Sequence, residues 1–476
     1  MDLALFDPAL IERYDRPGPR YTSYPTAAQF TESYSASDYL GAVQRSRDSG
    51  VPLSLYVHVP FCASPCFYCG CNRIISRSRS IAAGYIERLE REIEMQAALF
   101  AGRGPVLQLH FGGGTPTFFS LPQMEQVMQA LDRGFGLSRS PQREYSIEVD
   151  PRALLPDSVA GLAALGFNRI SIGVQDFDPA VQEAVNRLQS YEQTEQVVLD
   201  ARRHGFNSVS VDLIYGLPKQ TLEGFGRTLD QVIALAPDRV SAYSYAHMPQ
   251  LFKAQGQING ADLPSSRQKL GLLQLTVAKL QAAGYVYVGM DHFARPDDEL
   301  ARALDDGSLQ RNFQGYSTRG GADLVGLGLS AISRIADSYC QNVKTLDAYY
   351  AALDTGRLPL QRGLQLSADD RLRRALIEDL MCRDRVDYQR LEHEYHIDFR
   401  GYFADALEAL QPLAADGLVE LGEHELRVTA KGRFLLRAVA MPFDAHLRAA
   451  QAPAPVAGAA ANQDLPRPAP RYSRVI

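Results

Sequence analysis

Four of the chain's six cysteines fall within ten residues, Cys62-Ala-Ser-Pro-Cys66-Phe-Tyr-Cys69-Gly-Cys71. A thiol cluster this dense can hold zinc, hold an iron–sulfur cluster, or work as a redox dithiol. A disulfide framework is disfavoured, because disulfides staple small secreted domains that lack a large core, and this chain has 476 residues. Structural zinc draws Cys or His pairs from separate places, and catalytic zinc needs His or carboxylates alongside; no second such pair accompanies this stretch. A Cys-x-x-Cys dithiol would leave Cys62 unexplained. The spacing C-x3-C-x2-C lets one loop wrap three thiolates around three irons of a cubane and leaves the fourth iron without a protein thiolate. Iron–sulfur is the favoured reading, with zinc still open, since both metals accept thiolates.

The elements that must position this loop follow from pattern. β-rich runs at Leu53–Val59, 106–111, 145–149, 169–174, 208–214 and 239–245 each lead through a loop into a helical pattern, such as Ile81–Leu99 with apolar Ile86, Leu89 and Ile93, or 154–165 ending at Gly166. Alternating strands and helices imply βαβ units and a parallel sheet. Six units are too few for a standard eight-stranded barrel, so an α/β fold with a partial, three-quarter (β/α)6 barrel is expected. Ligands of parallel α/β sheets bind beyond the carboxyl ends of the strands. Those ends carry the cysteine loop, Gly112-Gly113-Gly114-Thr115-Pro116-Thr117, Glu148-Val149-Asp150-Pro151, Gln175-Asp176, Asp212 with Gly216-Leu217-Pro218-Lys219, and Tyr245-Ala246-His247. Glycines admit a ligand to the backbone, and a carboxylate such as Glu148 or Asp212 can accept from both hydroxyls of a ribose.

The domain division expected is an N-terminal arm over 1–50, the partial barrel over 51–250, a flank covering its mouth over 251–360, a helical winged-helix-like domain over 361–448, and an Ala/Pro-rich flexible tail over 449–476. Gly18-Pro19-Arg20-Tyr21-Thr22-Ser23-Tyr24-Pro25 cannot be regular helix and reads as an ordered arm. A net charge of −6 and a pI near 5.9 argue against a general nucleic-acid binder, as does acidic Glu420, Glu423 and Glu425 in the expected hairpin. The start lacks the basic residues and apolar core of a secretory signal, and no run approaches the ~20 apolar residues of a membrane span. A cytoplasmic protein without a membrane span is expected, and a monomer. Cys340 and Cys382 read as buried small hydrophobes, and His58 and His110 as satisfied core histidines.

Cys62, Cys66 and Cys69 after a first strand, Tyr68 before the last of them, and Gly-Gly-Gly-Thr-Pro-Thr at the second strand together resemble the radical S-adenosylmethionine enzymes. Within these the chain resembles the oxygen-independent coproporphyrinogen III oxidases over nearly its full length. The carrying segments are 19–26, Cys69-Gly70-Cys71-Asn72, 146–152, Gly173-Val174-Gln175-Asp176-Phe177, 212–221, 290–296 and the terminal Ser473-Arg474-Val475-Ile476. The resemblance implies that Cys62, Cys66 and Cys69 ligate a [4Fe–4S] cluster whose open iron is chelated by S-adenosylmethionine, and that two such molecules share the site. Tyr56, Gly113, Glu148 and the Ile332 backbone would hold the first; Tyr68, Gly114, Thr115, Gln175, Arg187, Asp212 and Ala246 would hold the second. Tyr56 and Cys71 are the catalytic candidates; the resemblance implies that Cys71 is not a cluster ligand and leaves its chemical role open.

It further implies reductive cleavage of the sulfonium and removal of a β-hydrogen from a propionate by the resulting 5′-deoxyadenosyl radical. Loss of carbon dioxide and one electron leaves a vinyl group, and two such events convert coproporphyrinogen III to protoporphyrinogen IX. The partners are that substrate and an unidentified electron donor and acceptor. The substrate's carboxylates need cationic or hydrogen-bonding groups: Arg20, Lys219, His292 and Arg295 are candidates, with Tyr21 and Tyr24 as a wall. A haem-transfer relative is the nearest alternative; it usually carries Phe where this chain has Cys71 and lacks the Arg20–Pro25 arm.

Overall fold

The computed structural model describes residues 7–313, 315–451 and 472. Apart from the end of helix Ala445–Gln451 and Tyr472, the expected tail lies outside the described residues, as does the motif at 473–476. The chain forms two compact units: the described parts of Met1–Gln29, Asp306–Ser317 and Leu366–Ile476 make one, and Phe30–Asp305 with Thr318–Gln365 the other. The expected arm is therefore divided at Gln29, and the helix Ala36–Ser49 belongs to the larger unit. The expected flank is divided too, since 306–317 joins the C-terminal elements.

The larger unit is built on an open twelve-stranded sheet. Its strands are β1 Leu53–Val59, β2 Gln108–Gly113, β3 Glu144–Val149, β4 Arg169–Gln175, β5 Ser208–Tyr215, β6 Arg239–Ser244, β7 Val286–Gly289, β8 His292–Ala294, β9 Asp323–Leu327, β10 Ile332–Ile335, β11 Ser338–Asn342 and β12 Leu360–Gln365. Across the sheet they run β12-β11-β10-β9-β1-β2-β3-β4-β5-β6-β8-β7. The six expected strands are β1 to β6, all parallel. The segment read as a flank adds a seventh parallel strand, β9, beside β1, then the antiparallel β10 to β12.

Alternation along the strands separates two faces. Leu55, Val57, Val59, Leu109, Phe111, Ile147, Ile172, Val209, Val211 and Leu213 are buried on the outer one, and the crossover helices supply apolar partners such as Ile86, Leu89, Ile93, Val127 and Leu131. The inner face of this partial barrel is polar: Ser54, Tyr56 and His58 on β1, His110 on β2, Ser146 and Glu148 on β3, Ser171 on β4, Asp212 on β5, Ser241 and Tyr243 on β6. In-register pairing places Tyr56 beside His110, His110 beside Ser146, Glu148 beside Ser171, and Asp212 beside Ser241.

At the amino ends of these strands the inner face closes in an ionic floor. Ser54 Oγ donates to Gln108 Oε1 at 2.8 Å, and Gln108 Nε2 to Glu144 Oε2 at 3.1 Å. Glu144 also accepts from Thr318 Oγ1 at 2.7 Å and Arg319 Nε at 3.1 Å. Arg169 pairs with Glu299 at 2.7 Å and Arg239 with Asp298 at 2.8 Å. A buried charge needs a partner, and each floor carboxylate has an arginine.

In the smaller unit, helix Ala368–Arg383 is followed by strand Arg385–Asp387, helices Tyr388–Tyr395 and Ala404–Ala415, and the hairpin Val419–Leu421 with Glu425–Val428, whose second strand pairs with 385–387. This helix–strand–helix–hairpin order is the expected winged arrangement. Arg437, which is buried, donates to the carbonyl oxygens of Gly18 and Pro19, the latter at 2.9 Å. That contact explains why the N-terminal segment packs with elements more than four hundred residues later.

Candidate active site

The cysteine loop leaves β1 at Val59 and is held at both ends. Phe67 N–H donates to the Val185 carbonyl at 2.9 Å, Asn186 Nδ2 to the Pro65 carbonyl at 2.7 Å, and Arg73 to the carbonyls of Cys69 and Cys66 at 3.1 and 2.8 Å. Close approach by the triple-glycine turn is required: a Cβ at Gly114 would lie 2.7 Å from the Phe61 carbonyl oxygen and 3.1 Å from Cys62 Sγ. Gly113 has φ +117 and would crowd the His58 ring at 2.8 Å, so neither position admits a side chain without displacement.

Each of the three spaced thiols has its own donor. Thr115 Oγ1 reaches Cys62 Sγ at 3.4 Å, Cys71 N–H reaches Cys69 Sγ at 3.4 Å, and Arg152 and Arg187 reach Cys66 Sγ at 3.4 and 3.5 Å. The Cys71 thiol and N–H draw the Cys69 thiol down to about 6, whereas burial pushes the Cys62 thiol up to about 11. Among the described residues no three His, Cys, Asp or Glu side chains converge as ligands of a single metal ion. A loop of three thiols, each met by a separate donor, is a fitting donor set for a [4Fe–4S] cluster, which takes one thiolate per iron. Cys71 is exposed, and Cys340 and Cys382 are buried.

Two carboxylates face the inside of the mouth. Glu148 accepts from Gly113 N–H at 3.3 Å and meets His110 Nε2 at 3.2 Å; its side chain is 43% exposed. Asp212 accepts from Ser171 Oγ at 2.9 Å and from Ser241, and desolvation, with Glu148 nearby, pushes its pKa up to about 6. Neither has an arginine or lysine in any ion pair recorded among the described residues, in contrast to the floor. The bulge between Gly173 and Gln175, with Gln175 at φ +69, shifts the β4–β5 register just beyond Asp212. Arg187 fills the neighbouring space, donating to the Gly173 carbonyl at 2.5 Å and pairing with Asp150 at 3.2 Å.

The remaining cofactor candidates surround these groups. Tyr56 bonds His58 Nδ1 at 3.0 Å and stacks on His110, centroids 5.8 Å apart. Tyr68 packs with Val181, Val185, Leu217, Tyr245 and Ile258, its carbonyl accepting from Gln255 at 2.9 Å. Lys269 Nζ donates to the Tyr245 carbonyl at 2.8 Å, fixing the backbone that leads to Ala246. Ile332 opens β10 next to Ser333, whose Oγ accepts from Gly326 N–H at 2.9 Å; Gly326 is the register partner of Tyr56.

The substrate candidates separate. Lys219 is exposed in the loop after β5, with φ +64. His292 stands opposite Ser241 and edge-on to Tyr243, centroids 6.0 Å apart, so it faces the same interior as Asp212. Arg295 does not reach the mouth. β8 runs antiparallel to β6 and carries Arg295 back to the amino end of the sheet, where its N–H donates to the Asp238 carbonyl at 2.9 Å and its side chain meets Asp297 at 3.5 Å. Arg20, Tyr21 and Tyr24 lie in the smaller unit; there the buried Tyr21 hydroxyl donates to Asp444 at 3.0 Å, and Tyr24 accepts from Ala445 N–H at 3.1 Å.

Sequence reasoning passed over the groups that support these residues. His58 and His110 are satisfied, as expected, but their partners are site groups: His58 Nε2 meets the Asn72 carbonyl of the cysteine loop at 3.0 Å, and His110 bridges Ser146 and Glu148. The period-2 polar face Ser54-x-Tyr56-x-His58 was the available signal. Arg152 and Arg73 had none, because their contacts are made by loops.

The family model of the radical SAM superfamily matches residues 56–232, and that of the HemN C-terminal domain matches residues 366–435. The chain is 51% identical over 94% of its length to the oxygen-independent coproporphyrinogen III oxidase of Pseudomonas aeruginosa, covering 97% of that protein. It is 51% identical over 93% to that of Escherichia coli, covering 96% of it. The solved structure of the Escherichia coli coproporphyrinogen III oxidase, described as a radical SAM enzyme, superposes with a TM-score of 0.89 at 50% identity, over 93% of this chain and 99% of that one. With that near full-length identity, and with the cysteine loop at the carboxyl ends of a parallel sheet, the chain belongs to the oxygen-independent coproporphyrinogen III oxidase family of radical SAM enzymes.

Proposed function

We propose that this protein decarboxylates two propionates of coproporphyrinogen III to vinyl groups without oxygen, yielding protoporphyrinogen IX. The observation that carries this reading is the 51% identity over 94% of the chain to an enzyme of that name. When bound, the cluster and S-adenosylmethionine supply an electron and a carbon radical able to take hydrogen from an unactivated carbon. The chain's own residues hold, orient and shield these groups. Cys62, Cys66 and Cys69 would hold the cluster, with S-adenosylmethionine bound beside it.

Glu148 and Asp212 support two S-adenosylmethionine molecules rather than one. What supports this is that they lie on strands separated by β4, both on the inner face, and that a carboxylate can accept from both hydroxyls of a ribose. Tyr56, Gly113, Glu148 and Ile332 serve the first; Tyr68, Gly114, Thr115, Gln175, Arg187, Asp212 and Ala246 serve the second. Lys219 and His292 take the porphyrinogen, and the exposed Cys71 acts in turnover rather than as a ligand. Cys71→Ser is expected to keep its iron and lose product formation.

The testing experiment is anaerobic incubation of the reconstituted protein with dithionite, S-adenosylmethionine and coproporphyrinogen III. Divinyl product with 5′-deoxyadenosine is expected; 5′-deoxyadenosine alone would refute the substrate. Asp212→Asn should reduce the S-adenosylmethionine bound at equilibrium, and unchanged stoichiometry would remove Asp212 from the second site.

A further inference from the structure

The three ligand thiols are not electrically equivalent. Cys62 receives a neutral hydroxyl and Cys69 a backbone N–H, each at 3.4 Å, but Cys66 sits between two guanidinium groups. Arg187 approaches from the helix-to-helix loop after β4, and Arg152 from the turn Pro151–Ala153 after β3. One carboxylate, Asp150, pairs with both, at 3.2 Å to Arg187 and 2.6 Å to Arg152. Two positive groups against one negative leave a net positive charge on the Cys66 side. The triad is shielded from solvent: side chains of Arg152, Arg187 and Asp150 are 19%, 7% and 14% exposed. Charges shielded in this way act over short distances with little screening.

We propose that Arg152 is a positioning residue that, through Cys66, raises the reduction potential of the iron–sulfur cluster and so eases its one-electron reduction by the external donor. A positive N–H donor to a ligating sulfur stabilises the electron-rich thiolate more in the reduced cluster, whose extra negative charge it offsets; hydrogen bonds to sulfur and local charge are known levers on cluster potential. Asp150 works in the opposite direction, offsetting part of the arginine charge while orienting Arg152 through both of its oxygens, at 2.9 Å from Nε to Oδ1 and 2.6 Å from Nη2 to Oδ2. The inference rests on the ligand assignment of Cys62, Cys66 and Cys69.

The test is the midpoint potential of the reconstituted cluster, titrated anaerobically with dithionite and followed by the spectrum of the reduced cluster, without S-adenosylmethionine. Iron and sulfide content of the wild-type protein comes first: absence of a cluster would overturn the ligand assignment itself. Given a cluster, Arg152→Gln should lower the reduction equilibrium constant about tenfold, a potential about 59 mV more negative for one electron. Arg152→Lys should stay nearer the wild type, and Asp150→Asn should move the potential the opposite way, upward. Arg79→Gln, at an exposed arginine just before helix Ile81–Leu99 that donates to the Ala153 carbonyl of the same turn at 3.5 Å, should leave it unchanged. A fully loaded Arg152→Gln protein with the wild-type potential would overturn the proposal while leaving the ligands intact. Should Arg152→Gln fail to load, Asp150→Asn decides: a rise supports the proposal, and no change or a fall overturns it.

Discussion

The two ends of the barrel interior treat acidic side chains in opposite ways. At the floor, Asp298 and Glu299 meet Arg239 and Arg169, and Glu144 meets Arg319, at distances of 2.7 to 3.1 Å. At the mouth, among the described residues, Glu148 and Asp212 receive neutral donors and a histidine, and Asp212 is held up near 6. Floor carboxylates complete their electrostatics within the protein and contribute to folding. Mouth carboxylates are left wanting a positive or hydroxyl-bearing partner, and a sulfonium with a ribose offers both. The same residue type thus has its charge met by an arginine at one end and by neutral donors or a histidine at the other.

The largest effect should come from the mouth. Cys69→Ser removes one of three ligands, and the protein is expected to lose its iron and acid-labile sulfide, and with them all turnover, while its thermal unfolding shifts little relative to the cluster-free wild type. A full iron and sulfide complement would refute the ligand role of Cys69. At the floor the order of effects reverses. Asp298 is 5% exposed and Arg239 20%, so Asp298→Ala takes the nearer carboxylate from a largely buried guanidinium, leaving it Glu299 at 3.6 Å, and should cost about 2 kcal/mol in urea unfolding, with cluster content per folded protein preserved. If stability falls by less than ~1 kcal/mol, the floor is no more than a surface ion pair.

Asp212→Asn should do what no floor substitution does, weakening S-adenosylmethionine binding while stabilising the free protein. The sign follows from the raised pKa: the carboxyl titrates near 6 when folded against 3.8 as its ordinary value, so ionising it penalises the folded state. Relative to the variant, the wild type loses stability as pH rises from 3.8 through about 6, and the two coincide below that window. At pH 8 the variant is expected to be about 3 kcal/mol more stable. Denaturation midpoints at pH 8 and pH 4 check it, and an equal difference at both would show that Asp212 is not the titrating group.

How far this contrast was readable from sequence depends on how local its causes are. All six central strands were legible to within two residues, because their apolar outer positions alternate with polar inner ones and each is bounded by glycine or proline. β9 was not: Asp323–Leu327 is short and contains Gly326, and its partner β1 lies at the far end of the unit in sequence. The cysteine loop, the glycines and the mouth carboxylates were visible because they stand at the carboxyl ends of the strands of a parallel sheet. The floor was invisible, since Glu144, Arg169 and Arg239 simply look like strand starts, and their partners Glu299, Asp298 and Arg319 come from segments whose position needs the tertiary fold. Arg152 was passed over for the same reason: its contact with Cys66 joins two loops 86 residues apart.

Arg295 is the residue on which the contrast makes its smallest and sharpest prediction. In sequence it belongs to Met290-Asp291-His292-Phe293-Ala294-Arg295-Pro296, a run that looks like one binding segment. The antiparallel direction of β8 divides that run, leaving His292 beside Ser241 in the interior and delivering Arg295 to the opposite edge, half exposed and 3.5 Å from Asp297. An exposed pair of that kind is worth at most a few tenths of a kcal/mol. Arg295→Ala should therefore leave stability within about 0.5 kcal/mol and leave the KM for coproporphyrinogen unchanged, whereas His292→Ala should raise that KM. A rise in KM with Arg295→Ala as large as with His292→Ala would mean that the substrate's carboxylates reach the floor side of the sheet, and the division of the interior into a structural and a functional end would fail.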